Sequence, residues 1–260
     1  MNSVLEVKSL NKSYIGRRNC IHVIKDVSFQ IHKGECLGLI GESGCGKSTI
    51  AKIITRLEAV DSGKIFLDGK DITHVEGKAL REMYKEVQMV FQASVESFNP
   101  RIKLGDGIME SMINQGISRL EAKKRANECL EMCGLAEGFF NKYPHQVSGG
   151  ECQRASIARA IAIKPKLLLC DEITSALDVV IQAETLKLIE KLKNEMNMTC
   201  LFISHDIALV QEICNRVIVM EQGQLIEEGT PNEIIMNPQQ EYTKKMIEAL
   251  FYAIDIQSKN

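Results

Sequence analysis

Residues Gly41 to Ser48 read Gly-Glu-Ser-Gly-Cys-Gly-Lys-Ser and fit the spacing G-x-x-x-x-G-K-[ST] without a gap. That spacing suits phosphate binding for a physical reason. Gly41, Gly44 and Gly46 let the backbone curl through Glu42, Ser43 and Cys45 so that successive N–H groups converge on phosphate oxygens. The helix that follows adds the positive end of its dipole. Lys47 is expected to reach the β- and γ-phosphates of a nucleoside triphosphate, Ser48 to offer its hydroxyl to Mg²⁺, and Thr49 adjoins them. The loop follows an apolar run, Cys36-Leu37-Gly38-Leu39-Ile40, that reads as a buried strand.

A phosphate loop alone fits a kinase, a small GTPase, a helicase or a transporter ATPase, so the residues downstream decide. Leu167-Leu168-Leu169-Cys170 is an apolar strand ending in two carboxylates. Asp171 is placed to hold Mg²⁺ through its water shell and Glu172 to polarise an attacking water. Val147-Ser148-Gly149-Gly150-Glu151-Cys152-Gln153-Arg154 opens a helix whose two glycines leave bare N–H groups at its positive end, a second phosphate-recognition surface. One chain cannot readily aim two such helix ends at one γ-phosphate from opposite sides, so this surface is expected to complete a site on another subunit. Gln92, after Val90-Phe91, and His205, after Cys200-Leu201-Phe202-Ile203, are polar residues at strand ends. They read as contacts to the metal or water and to the γ-phosphate respectively. Ser175-Ala176-Leu177-Asp178 reads either as a turn or as a contact between subunits.

The elements that must position these groups follow from periodicity. Val27, Phe29 and Ile31 alternate with Asp26, Ser28 and Gln30, a half-buried strand, and Gly63 to Leu67 runs into an Asp68-Gly69 turn, a hairpin. Glu86–Phe91, Leu167–Cys170, Thr199–Ser204 and Val217–Met220 read as further strands, the last three separated by helical stretches as in parallel α/β units. Between Ala93 and Ala162 strand patterns vanish, and helices are expected from Leu104, Ser118 and Ser148. Ser118 with Glu121 has capping-box spacing and Gly134 is a stop. The fold class expected is therefore α/β: a P-loop core with an antiparallel β subdomain and an inserted α-helical subdomain. The divisions are residues 1–92 and 163–230 for the core with its β portion, 93–162 for the helical insert, and 231–260 for a short C-terminal extension.

Bulk properties narrow the setting. With 260 residues and 45% apolar side chains the chain can bury a substantial core. Lys and Arg number 32 against 34 Asp and Glu, so no overall field favours nucleic acid or an anionic membrane. Nine cysteines without a C-x-x-C pair fit a reducing compartment, and Cys129 and Cys133, at helical spacing with Ala122, Ala126 and Leu130, read as a buried stripe. Neither a basic, apolar amino terminus nor a stretch of membrane-spanning length is present in the sequence. The chain is expected to be cytosolic by itself, reaching a membrane only through a protein partner.

The motifs in this order resemble the ATP-binding cassette (ABC) family of transporter ATPases over nearly the whole chain. In the family's terms Gly41–Ser48 is similar to the Walker A loop, Gln92 to the Q-loop glutamine, and Ser148-Gly149-Gly150-Glu151 to the signature. Asp171 and Glu172 are similar to the end of Walker B, Ser175–Asp178 to the D-loop, and His205 to the switch histidine. Tyr14 sits where the family has an aromatic stacked on adenine. The resemblance implies ATP and Mg²⁺ as cofactors, with Glu172, His205 and Lys47 catalytic and Ser48, Gln92 and Asp171 around the metal. Tyr14, the loop through Thr49, Gln92, Ser148, Gly149, Gly150 and Asp178 would contact nucleotide. The signature departs from the family's commonest Leu-Ser-Gly-Gly-Gln at Val147 and Glu151. A carboxylate there repels phosphate unless Glu151 turns back to cap the Ser148 N–H, as a capping box allows.

Met89–Arg101 and the tail Gln240–Met246 resemble ATPases of bacterial importers for peptides and nickel. Ser94 and Val95 stand where peptide importers often carry Pro-Tyr, which leans the comparison towards nickel. The resemblance implies a second ABC ATPase, identical or different, two integral-membrane permease subunits and an external binding protein as partners, at the cytoplasmic face of the cell membrane. It also implies that the insert docks the permease, so that changes around Phe98 uncouple hydrolysis from transport. An exporter ATPase or a non-hydrolysing regulatory cassette is the alternative. One cassette per chain argues against a ribosome-acting relative, and the lack of a long coiled coil or zinc modules against DNA repair.

Overall fold

The alternation of apolar and polar residues near the amino terminus becomes paired strands. The computed structural model describes residues 3–16, 20–136, 138–175 and 177–257. In chain order its elements are β1 (Ser3–Ile15), β2 (Cys20–His32), β3 (Cys36–Ile40), α1 (Lys47–Ile54), β4 (Ser62–Leu67), β5 (Lys70–Asp71), α2 (Gly77–Glu86), β6 (Val87–Val90), α3 (Leu104–Asn114) and α4 (Arg119–Met132). There follow α5 (Gly149–Ile161), β7 (Leu167–Asp171), α6 (Val179–Met196), β8 (Thr199–Ser204), α7 (Ile207–Ile213), β9 (Arg216–Glu221), β10 (Gln224–Gly229), α8 (Pro231–Met236) and α9 (Glu241–Gln257). Two compact units result: Met1–His74 with Leu201–Asn260, and Val75–Cys200.

In the first unit β2, β1, β4 and β5 form an antiparallel sheet in that order. Val27, Phe29 and Ile31 of β2 face the core, as their alternation requires, and meet Leu5, Val7 and Leu10 of β1. β1 lacks a clean alternation because its pairing with β2 shifts register between Val7 and Leu10 and again beyond it, so side chains change face part-way along. The hairpin at Asp68-Gly69 joins β4 to β5. A second set of strands centres on β3, whose five residues are all buried and which runs parallel to β9 from Leu37 opposite Arg216 to Ile40 opposite Val219. Asn215 fixes this register from one residue, its N–H donating to the Cys36 carbonyl (2.8 Å) and its side-chain oxygen accepting from the Cys36 N–H (3.0 Å).

The second unit pairs β6 with β7 in parallel, from Val87 opposite Leu167 to Val90 opposite Cys170. The strand expected from Glu86 starts one residue later because Glu86 closes α2. Helix α2 has no counterpart in the sequence reading: only Met83 of its ten residues is buried, too little for an apolar stripe. The same unit holds α3, α4 and α5, which pack on one another and bury Ile108, Met112, Ala122, Ala126, Ala155 and Ala158. Cys129 and Cys133 are buried in this packing, and burial pushes the Cys129 thiol up to about 11. Ser118 caps α4, its hydroxyl accepting from the Glu121 N–H at 3.3 Å, and Gly134 follows the helix at φ +71°.

The helices close tightly where α3 meets the 3₁₀ turn Phe139–Asn141: a Cβ on Gly105 would lie 2.2 Å from Cδ2 of Phe140. Gly105→Ala is expected to cost about 1–3 kcal/mol in a urea melt. Less than the sum of the single costs should appear when it is combined with Phe140→Ala, since the two changes share one contact.

Candidate functional site

Strand β3 delivers the chain into the phosphate loop, and Gly46 caps α1 at φ +114°. A side chain is excluded at two loop positions on steric grounds: a Cβ on Gly41 (φ +153°) would stand 2.2 Å from the Met220 carbonyl oxygen, and one on Gly46 2.8 Å from that of Val23. Lys47 is 3% exposed, and its ammonium donates to the carbonyls of Gly41 (2.7 Å) and Glu42 (2.9 Å) and approaches the Cys45 sulfur at 3.9 Å. Burial pushes the Cys45 thiol up, so it sits in the loop as a neutral group. Ser48 and Thr49 are half-buried in the first turn of α1, while Glu42, Ser43 and Gly44 are exposed.

Two further predicted residues lie in the same unit. Tyr14 is 40% exposed near the end of β1, with its hydroxyl bonded to Glu58 and the Lys12 ammonium 5.3 Å from its ring centre. Partial burial, then the Glu58 hydrogen bond, raise its phenol. His205 is exposed at the corner between β8 and α7. The corner is braced by Asp206, whose N–H donates to the Ser204 hydroxyl and whose carboxylate accepts from the Ala208 N–H, both at 2.9 Å. A cleft of about 420 Å³ opens beside His205, with Glu42 and the α9 residues Tyr242, Lys245 and Met246 among its walls.

In the second unit β7 carries the carboxylate pair. Asp171 is 6% exposed, whereas Glu172 leaves the strand at φ +46° and is half-buried. The Gln92 amide donates to the Glu172 carboxylate (3.3 Å) and to the Ser175 hydroxyl (2.9 Å), and that hydroxyl donates to the Glu172 carbonyl (3.0 Å). Gln92, Glu172 and Ser175 therefore form one hydrogen-bonded group, and the Ser175 contribution was not apparent from its turn-like setting. Ala176 lies outside the described residues. Asp178 caps α6, accepting from the Ile181 N–H at 3.0 Å.

At α5 the capping box is complete. The Ser148 N–H donates to the Glu151 carboxylate at 2.7 Å and the Glu151 N–H to the Ser148 hydroxyl at 3.2 Å. The Ser148 N–H above all, together with the other Ser148 bond and nearby Lys142 and Arg154, holds the Glu151 carboxyl below its ordinary range. The carboxylate is thus spent on its own helix. Ser148 and Gly149 remain exposed, while Gly150 is buried because a Cβ there would lie 2.7 Å from the Ile181 side chain.

Residues 24–175 match the sequence profile of the ABC transporter family. The chain belongs to the ABC transporter family. It is 39% identical over 247 residues to the oligopeptide transport ATP-binding protein OppF of Haemophilus influenzae, covering 94% of this chain and 74% of that one. With OppF of Bacillus subtilis it shares 40% over 250 residues, 95% of this chain and 82% of the relative. Among solved structures, the dimeric post-hydrolysis state of the cassette MJ0796 bound to ADP and Pi superposes with a TM-score of 0.80 at 31% identity, covering 87% of this chain and 98% of that one. The cassette cbiO1 of Clostridium perfringens, part of a cbiONQ transporter complex, matches at 0.80 and 27%, covering 91% and 92%. This ABC cassette is thus an ATP-binding ATPase of the α/β class expected from the sequence.

Two tests follow from the geometry. Gly41→Ala should weaken ATP binding in a titration by about ten-fold or more, since it adds strain and a clash with backbone. Glu151 is a depressed carboxyl, so its cap contributes above the unfolded value, ordinarily 4.5, and is lost as pH falls through the lower folded value. Melting temperature should therefore fall more steeply below about pH 4.5 in the wild type than in Glu151→Gln, whose capping amide does not titrate.

Proposed function

We propose that this chain is the ATPase subunit of an importer for oligopeptides, working as a pair of cassettes in which the phosphate loop of each holds ATP against the Ser148–Gly150 helix end of the other. The observation that carries the chemistry is the Gln92–Glu172–Ser175 group, a strand-end glutamate whose carboxylate accepts from the Gln92 amide and whose backbone carbonyl accepts from the Ser175 hydroxyl. Held in this way, Glu172 keeps its acceptor oxygens aimed and takes the proton of the attacking water as its oxygen bonds to the γ-phosphorus and the bond to ADP breaks. Lys47 and His205 stabilise the charge on the transferred phosphoryl group. Tyr14 contributes its ring to the adenine.

The donor chemistry fits Mg²⁺. Ser48 offers a hydroxyl, Asp171 a buried carboxylate and Gln92 the amide oxygen left when its nitrogen donates to Glu172, all hard oxygen ligands. An ion held by these groups would supply charge neutralisation at the phosphates.

Peptide rather than nickel is the proposed cargo, because the relatives at 39–40% identity carry oligopeptide-transport names. No helix among the described residues is long and apolar enough to cross a membrane, so attachment to the cytoplasmic face is proposed to run through two permease subunits, with an external binding protein choosing the peptide. The second cassette is a copy of this chain or a relative of it. Docking by the helical insert, residues 93–162, calls for exposed side chains. Phe98 is 4% exposed and lies under the Arg159 guanidinium, 4.2 Å from its ring centre, so Val95, 47% exposed, rather than Phe98 would meet the permease.

Phosphate release and nucleotide binding by purified variants test the catalytic reading. Lys47→Ala is expected to lose ATP binding. Glu172→Gln should bind ATP as the wild type does while turnover falls by about 100-fold or more. Normal turnover by Glu172→Gln would overturn the assignment.

A further inference from the structure

Tyr242 is 200 residues from the phosphate loop in the chain, yet its hydroxyl accepts a hydrogen bond from the Glu42 N–H, inside that loop, at 2.9 Å. The peptide unit involved joins Gly41 to Glu42. Its carbonyl, that of Gly41, accepts from the Lys47 ammonium at 2.7 Å. No cis peptide occurs among the described residues, so this carbonyl and N–H point to opposite sides of the chain. One plane is thus gripped from one side by the phosphate-binding lysine and from the other by an aromatic hydroxyl on the C-terminal helix.

The helix that brings Tyr242 is fixed without it. The Glu227 carboxylate on β10 accepts from the N–H groups of Gln239 (2.7 Å) and Gln240 (3.1 Å), just before α9 begins. Thr243 and Ile247, one turn apart, are 0% and 5% exposed and seat the helix on the unit. Tyr242 itself is half-buried. Gly41 has no side chain to resist rotation of the plane, and the Glu42 side chain is exposed.

We propose that Tyr242 is a positioning residue for ATP binding, holding the Gly41–Glu42 peptide so that the Gly41 carbonyl keeps Lys47 aligned along the loop. The C-terminal extension is then a brace of the nucleotide site as well as an appendage to the core, and movement of α9 changes ATP affinity. The inference rests on the phosphate loop being where ATP binds.

The test compares the full chain with Tyr242→Phe, which keeps the ring and removes only the acceptor, by titration with ATPγS and Mg²⁺ and by steady-state phosphate release. The expected result is about five-fold weaker binding, a matching rise in KM, kcat within about two-fold of wild type, and an unchanged melting temperature without nucleotide. Unchanged affinity would overturn the proposal, as would a fall in kcat accompanied by a lower melting temperature, which would make Tyr242 a packing residue. Lys47→Ala separates the two readings. If it abolishes ATPγS binding while Tyr242→Phe does nothing, only the Tyr242 inference fails; if it binds normally, the loop assignment fails as well.

Discussion

Backbone N–H groups can receive phosphate only if the chain carrying them is held by something other than those N–H groups. That constraint shapes the first unit. Strand β3 is buried along its full length and fixed in register by Asn215, so the loop starts from a rigid point. Gly41 and Gly46 then bring the loop close against the carbonyls of Met220 and Val23, where no side chain fits. Lys47 ties the loop carbonyls together through its ammonium. The curled backbone is stabilised by packing, by a cation on its acceptor side and by the Tyr242 hydroxyl on the Glu42 N–H.

The second unit handles negative charge by the same economy of partners. Glu172 has the Gln92 amide as a donor to its carboxylate, which orients it. Glu151, which would repel phosphate if it projected from the signature helix, is folded back onto the Ser148 N–H. Arg159 performs the structural work of a cation elsewhere, donating to the Ser97 carbonyl (2.6 Å) and hydroxyl (2.9 Å) and so pinning the segment that follows Gln92. Burial alone pushes the Arg159 guanidinium down from its ordinary value, though it remains a cation.

The parts readable from sequence were those whose spacing has a local cause. The phosphate loop, the apolar strand before Asp171, the helix starts at Leu104 and Ser148 and the alternation in β2 each depend on residues close in the chain. Glu151 is instructive: three-residue spacing to Ser148 was enough to foresee the box that forms. The rest depends on contacts between distant segments. β1 was obscured by its register shifts and α2 by its near-total exposure. Ser175 beside Gln92 joins residues 83 apart, and Tyr242 on Glu42 residues 200 apart, and neither pair has a periodic pattern that could announce it. The peptide-importer resemblance of the tail pointed at Tyr242 without saying what the residue does.

Uptake of labelled oligopeptide and of labelled nickel, in cells lacking the chromosomal copy and carrying this chain as wild type or as Glu172→Gln, tests the central claim that ATP hydrolysis by this chain drives peptide import. The account predicts that the variant abolishes peptide uptake and leaves nickel uptake unchanged. Peptide uptake that persists with Glu172→Gln, or nickel uptake that is lost in its place, would contradict it.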